Sequence, residues 1–87
     1  MITVKLLGGA RKIVGKEEIS IEMHSMKVSE IVRMLSSMSS DTKIFNPTNM
    51  LIVVNGVELS IIGGLDARVN NGDIVSIVPV VHGGMAG

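Results

Sequence analysis

A diglycine, Gly83-Gly84, follows a strand-like run directly, and only Met85-Ala86-Gly87 stands after it. Two consecutive residues without a Cβ make a strand thin enough to enter a narrow enzyme channel and offer a terminal carboxylate without steric shielding. Here that carboxylate is masked, so chemistry at Gly84 requires the bond between Gly84 and Met85 to be cut first, and the chain reads as a precursor. The plain alternative is a frayed polar tail, the usual fate of terminal glycines. The remainder of the chain decides between them.

Other residues capable of chemistry are few. Glu17-Glu18, or Asp66 with Asp73, would suit acid–base work, but adjacent residues on a strand end face opposite ways and turns recruit Asp for local backbone bonding. Serines 25, 29, 36, 37, 39 and 40 crowd a helix and its edges, and no Ser-His-Asp order is persuasive. An enzyme is not expected. His24 and His82 without any cysteine are poor material for a metal site, and metal binding is rejected.

The elements that would carry the diglycine follow from periodicity. Ile2, Val4 and Leu6 alternate with Thr3 and Lys5, a strand with one buried face. Gly8-Gly9 ends it, and after a polar connection over 10–16 a second alternation (Ile19, Ile21, Met23) completes an antiparallel hairpin. Val28, Ile31, Val32, Leu35 and Met38 then recur at helical spacing; Ser25 is the candidate cap, and the serines with Asp41 stop the helix near Met38. Phe45-Asn46-Pro47 marks an ordered turn. Leu51 to Val54 is continuously apolar, as for a strand covered on both faces, and Asn55-Gly56 is a strong hairpin signal before Val57-Glu58-Leu59. Gly63 to Asp66 and Asn70 to Asp73 supply turns. A last strand, Ile74 to Val78, meets Pro79, which cannot donate to a ladder and so ends pairing or sits on an edge, and everything after it should leave the sheet. One main helix over a mixed sheet of four to five strands results, an α+β fold. Met23, Met34 and Met38 are expected to fill gaps in a core that has only Phe45 for an aromatic. Which of Leu7, Val57, Leu59 and Ile61 face solvent stays open.

Composition narrows the function classes. Eighty-seven residues, 46% hydrophobic, suit one small domain that buries only about 60–65% of its unfolded surface. Eight basic and eight acidic residues cancel, and no basic cluster exceeds Arg11-Lys12, so nucleic acid is not an expected partner. The longest nearly apolar stretch, Ile74 to Val81, contains Ser76 and Pro79 and is far short of the roughly 20 residues that span a bilayer. Residues Met1 to Lys5 do not read as a leader, and a soluble cytoplasmic protein without a membrane partner is the expectation.

This element order, with Phe45-Asn46-Pro47, Leu51-Ile-Val-Val-Asn-Gly56, Asn70-Asn-Gly-Asp-Ile-Val75 and the ending Pro79-Val-Val-His-Gly-Gly84, resembles the β-grasp sulfur carriers and ubiquitin-like modifiers. That group includes the small subunit of molybdopterin synthase, the thiamine sulfur carrier, ubiquitin-related modifiers and small archaeal modifiers; the His82-Gly83-Gly84 ending is closest to the ubiquitin-related branch. The resemblance implies a β-grasp domain over 1–82 and a tail over 83–87. It implies Gly84 and Gly83 as the reactive terminus, with Val81 and His82 as the preceding tail positions a partner would read; left to itself, His82 is a solvated tail histidine. No cofactor is bound by the chain; ATP is used by an adenylating, ubiquitin-activating-type enzyme. Further implied partners are a JAB/MPN-type metalloprotease that trims Met85-Ala86-Gly87 and removes conjugates, and conjugating machinery with target-protein lysines. The alternative implied function is a Gly84 thiocarboxylate serving tRNA thiolation or molybdopterin- or thiamine-type cofactor synthesis. By analogy, the sheet face next to the tail is the docking site. Leu7-Gly8-Gly9 stands where relatives often carry an aromatic followed by one glycine.

Overall fold

The computed structural model describes residues 1–39 and 49–80. The Phe45-Asn46-Pro47 turn therefore lies outside the described residues, as do all expectations placed on 81–87.

Strand β1 (Ile2–Leu6) starts the domain, with Ile2, Val4 and Leu6 fully or almost fully buried as their alternation requires. It pairs antiparallel with β2 (Glu18–Ile21), Val4 facing Ile19 and Ile2 facing Ile21. The connection is not merely polar: it contains a short helix, α1 (Gly9–Val14), whose Ala10 is buried and whose Ile13 and Val14 pack on the core. Gly15 closes it at φ 84°, its N–H bonding the carbonyl of Arg11 at 2.9 Å. This left-handed conformation is one that glycine adopts without the Cβ penalty.

A three-residue strand, β3 (Ser25–Lys27), precedes the main helix α2 (Val28–Met38). Ser25 therefore does not cap α2; Lys27 occupies the cap position, and Glu30 accepts a hydrogen bond from its backbone N–H at 2.8 Å. That carboxylate satisfies a donor at the helix start and favours the positive end of the helix dipole. Val28, Ile31, Val32 and Leu35 are buried on one face, and the helix ends at Met38 as the serine run requires. Met23 and Met38 point to solvent and Met34 is half-buried; the methionine inside the core is Met26, opposite Val69. Alternation along β2 does not extend to Met23, because β2 stops at Ile21 and β3 begins the approach to the helix.

Strand β4 (Met50–Val54) turns through Asn55 (φ 49°) and Gly56 (φ 84°) into β5 (Val57–Glu58), with Val54 opposite Val57. Positive φ at both turn residues is the geometry that Asn-Gly favours in a two-residue hairpin. Two 3-10 turns, Leu59–Ile62 and Gly64–Asp66, lead to β6 (Arg68–Asn70), which pairs with β3 in a separate two-stranded sheet. The last strand, β7 (Ile74–Pro79), lies parallel to β1 and antiparallel to β4, and the main sheet runs β2-β1-β7-β4-β5.

Two expectations are corrected here. Pro79 does not end pairing: it sits opposite Met50, and Val80 still donates to the Asn49 carbonyl at 2.7 Å. Proline lacks only its own N–H, so the residue after it can rejoin the ladder. Nor is β4 covered on both faces. Ile52 and Val54 are buried against α2 while Leu51, on the other side of the sheet, is 41% exposed, since no described element covers that side. Ile2, Val4, Leu6, Val75, Ile77, Ile52 and Val54 form one cluster with Val28, Ile31 and Leu35. Burying each such side chain fully contributes about 1.5–3 kcal/mol, so this cluster holds β7 in the sheet.

Candidate functional site

The chain leaves the described domain along β7, the middle strand of the main sheet, at Pro79-Val80. On one side β1 flanks this exit, Leu7 donating its N–H to the Ile77 carbonyl at 3.0 Å; on the other stands Asn49, bonded to Val80. The end of β7 is thus anchored on both edges. Val81, His82, Gly83, Gly84 and the Gly84–Met85 bond, the positions singled out in the sequence, lie outside the described residues.

The open face of the sheet follows from the register. Leu51 stands opposite Val78, Val53 opposite Ser76, Lys5 beside Ser76 and Glu18 opposite Lys5. Alternation adds Leu7 and Val80 to the same side. An apolar group, Leu7, Leu51, Val78 and Val80, therefore surrounds the exit, and a polar row of Glu18, Lys5 and Ser76 borders it. Leu7, Leu51 and Val80 are 45%, 41% and 44% exposed. Grouped exposed aliphatics with a polar border are what a protein-docking face presents.

Of the four residues left open by the sequence, Leu7, Val57 and Ile61 are exposed and Leu59 is buried. Ile61 sits in a 3-10 turn beyond edge strand β5, off this face. Leu51, Val78 and Val80 were not singled out as docking residues. A continuous apolar run conceals which alternate residues are inside, and only the pairing with β7 assigns them.

The carboxylate pairs are structural. Glu17 forms an exposed ion pair with Arg11 at 2.9 Å. Asp73 accepts from the Asn70 N–H at 2.7 Å and from the Asn55 side chain at 2.9 Å, and these two bonds hold its carboxyl below the usual aspartate range. Glu58 is held low by the Ser60 hydroxyl and then by the Ser60 N–H, the latter at 3.0 Å. All three serve turns or helix ends. Among the described residues no group of three or more His, Cys, Asp or Glu could hold a metal, and no helix is long and apolar enough to cross a membrane.

A mixed five-stranded sheet with one main helix on a single face and the last described strand in its middle is a β-grasp fold. The sequence matches the ThiS family model over residues 4–84, and the chain belongs to that family of β-grasp sulfur carriers and ubiquitin-like modifiers. No curated protein matches the sequence. Among solved structures, the crystal structure of the Amycolatopsis orientalis BexX/CysO complex is similar at a TM-score of 0.72 and 25% identity, over 97% of this chain and 100% of that one. The solution structure of Urm1 from Trypanosoma brucei gives 0.75 and 21%, over 95% and 94%. That of small archaeal modifier protein 1 from Methanosarcina acetivorans gives 0.75 and 23%, over 95% of each chain. The last two bear on the fold.

Proposed function

We propose that this chain is a ubiquitin-like modifier made as a precursor and joined through Gly84 to lysines of target proteins. The observation that carries the reading is the family match, which runs from Val4 to Gly84 and leaves Met85-Ala86-Gly87 beyond it. A JAB/MPN-type metalloprotease hydrolyses the Gly84–Met85 bond and frees the carboxylate. A carboxylate is a poor acyl donor, because its charge repels nucleophiles and oxide is a bad leaving group. An activating enzyme of the ubiquitin type removes that obstacle: the Gly84 carboxylate displaces pyrophosphate from ATP, and the acyl-adenylate then has AMP as its leaving group. A thiol of the conjugating machinery takes the acyl group, and a target lysine amine displaces that thiol to form an isopeptide bond. The chain contributes the acyl group and its presentation; ATP, metal and thiol belong to the partners. The face of Leu7, Leu51, Val78 and Val80 seats the activating enzyme, since it surrounds the strand that delivers the tail.

The second reading, a sulfur carrier whose adenylate is converted into a Gly84 thiocarboxylate, is favoured by the name of the matching family. Mass spectrometry of material from native cells separates the two. A diglycine remnant on lysines of other proteins supports the modifier; one oxygen replaced by sulfur on the mature chain supports the carrier. Gly84→Ala is expected to abolish conjugates while leaving the fold intact, and undiminished conjugates in that variant would refute the modifier.

A further inference from the structure

The main sheet has two edges, and they differ. Strand β5 offers Val57 and Glu58 before the chain enters a 3-10 turn, whereas β2 offers the longer run from Glu18 to Ile21. Which main-chain groups of β2 are free follows from its pairing with β1. Leu6 donates its N–H to the Glu17 carbonyl at 2.9 Å, and the register sets Val4 opposite Ile19 and Ile2 opposite Ile21. Hydrogen-bonded positions alternate in an antiparallel pair, so Glu17, Ile19 and Ile21 bond inward to β1. Glu18 and Ser20 then turn their N–H and C=O groups away from the sheet, and neither has a main-chain partner there among the described residues. On the helix side, Ile19 and Ile21 are only half-buried.

An open edge of this kind is a template for another strand, unless its charges forbid pairing. Free positions must face free positions, so an antiparallel pair of β2 strands that uses most of the strand is centred on Ile19 or on Ser20. Centring on Ser20 sets Glu18 against Glu22 of the second copy, and like charges directly opposite are destabilising. Centring on Ile19 sets Glu18 against Ser20, Ile19 against Ile19, and Lys16 against Glu22. The other acids are matched within the chain: Glu17 by Arg11 at 2.9 Å, and Glu18 by Lys5 opposite it on β1. Eight basic and eight acidic residues cancel, so two copies do not repel as wholes. Charge complementarity thus selects a second copy of this chain, in one register.

We propose that β2 is a self-association edge, pairing antiparallel with β2 of a second copy about Ile19. Both Glu18–Ser20 pairs exchange main-chain hydrogen bonds, and each Ile19 covers its counterpart. The two main sheets become one with their open faces on the same side, and neither group of Leu7, Leu51, Val78 and Val80 is covered. The chain has no cysteine, so Ile19→Cys carries a single thiol. Opposed Cα atoms in a non-hydrogen-bonded antiparallel pair stand about 4.5 Å apart, within the span that a disulfide bridges. In Ile21→Cys the same register holds the two Cα atoms about 14 Å apart, beyond that span. In a glutathione redox buffer, Ile19→Cys should form the linked dimer at least about tenfold faster than Ile21→Cys, because only its geometry allows the bond. Sedimentation equilibrium of the full chain gives a second readout. Lys16→Glu and Glu22→Lys, both at exposed positions, should each weaken the dimer about tenfold, since each turns attractive cross-strand pairs into repulsive ones. Combining them should restore parental dimerisation, which a merely damaged fold would not do. Equal disulfide rates in the two cysteine variants, a chain that stays monomeric at millimolar concentration, or a double variant as weak as the single ones would overturn the proposal.

Discussion

Replacing Leu7 and Leu51 together by alanine tests the docking face quantitatively. The two side chains are 45% and 41% exposed, and neither is part of the core cluster. Full burial of a leucine contributes about 1.5–3 kcal/mol, so covering the exposed fraction with a partner adds roughly 0.6–1.3 kcal/mol for each. Truncating both removes about 1–2 kcal/mol of that, roughly a 5- to 30-fold loss of affinity. The assay is pyrophosphate exchange by the cognate activating enzyme with the chain truncated to Gly84. The half-saturating concentration of the double variant should rise by that factor with the maximal rate unchanged, because the reacting carboxylate is untouched. Ile61→Ala is the internal control: at 75% exposed, Ile61 presents the larger apolar surface but lies off the face. Exposed area alone would make Ile61 the more damaging loss. If Ile61→Ala weakens exchange and the double variant does not, the assignment of the face is wrong.

Three further outcomes concern the scaffold. Leu35→Ala empties a fully buried position between α2 and the sheet, and urea unfolding should show a loss of about 2–5 kcal/mol. Gly15→Ala forces a side chain into φ 84° and should cost about 1–2 kcal/mol in the same measurement. Asp73, whose carboxyl is held low in the folded state by the Asn70 N–H and the Asn55 amide, stabilises the fold above the unfolded aspartate value and loses that contribution as pH falls through its lower folded value. Asp73→Asn should therefore show a weaker fall in unfolding midpoint over this acidic window than the parent, and an identical acid profile would contradict the role assigned to the turn.

How far the sequence could be read depended on segment length and on which interaction decided each element. Val28 to Met38 repeats its apolar residues over three turns, and the buried face of α2 follows that spacing. Asn55-Gly56 was equally legible, since few other residue pairs adopt positive φ twice in succession. Helix α1 escaped notice because Ala10, Ile13 and Val14 span barely more than one turn between glycines, and its formation rests on packing against the core. Strands β3 and β6, three residues each, have no period long enough to recognise; the contact of Met26 with Val69 across them is a tertiary fact. Leu51 was misplaced for a related reason, an apolar run in β4 being compatible with burial on one face or two. The diglycine was visible as a pattern of residue types, whereas the face beside the tail exit depends on β7 being inserted between β1 and β4.

The most direct test of the acyl-transfer account is intact-mass and peptide sequencing of this chain, free and conjugated, recovered from its native cells. The account requires a mature form ending at Gly84, with that glycine found linked to lysines elsewhere. A population that retains all 87 residues and carries neither a protein nor sulfur at Gly84 would contradict it.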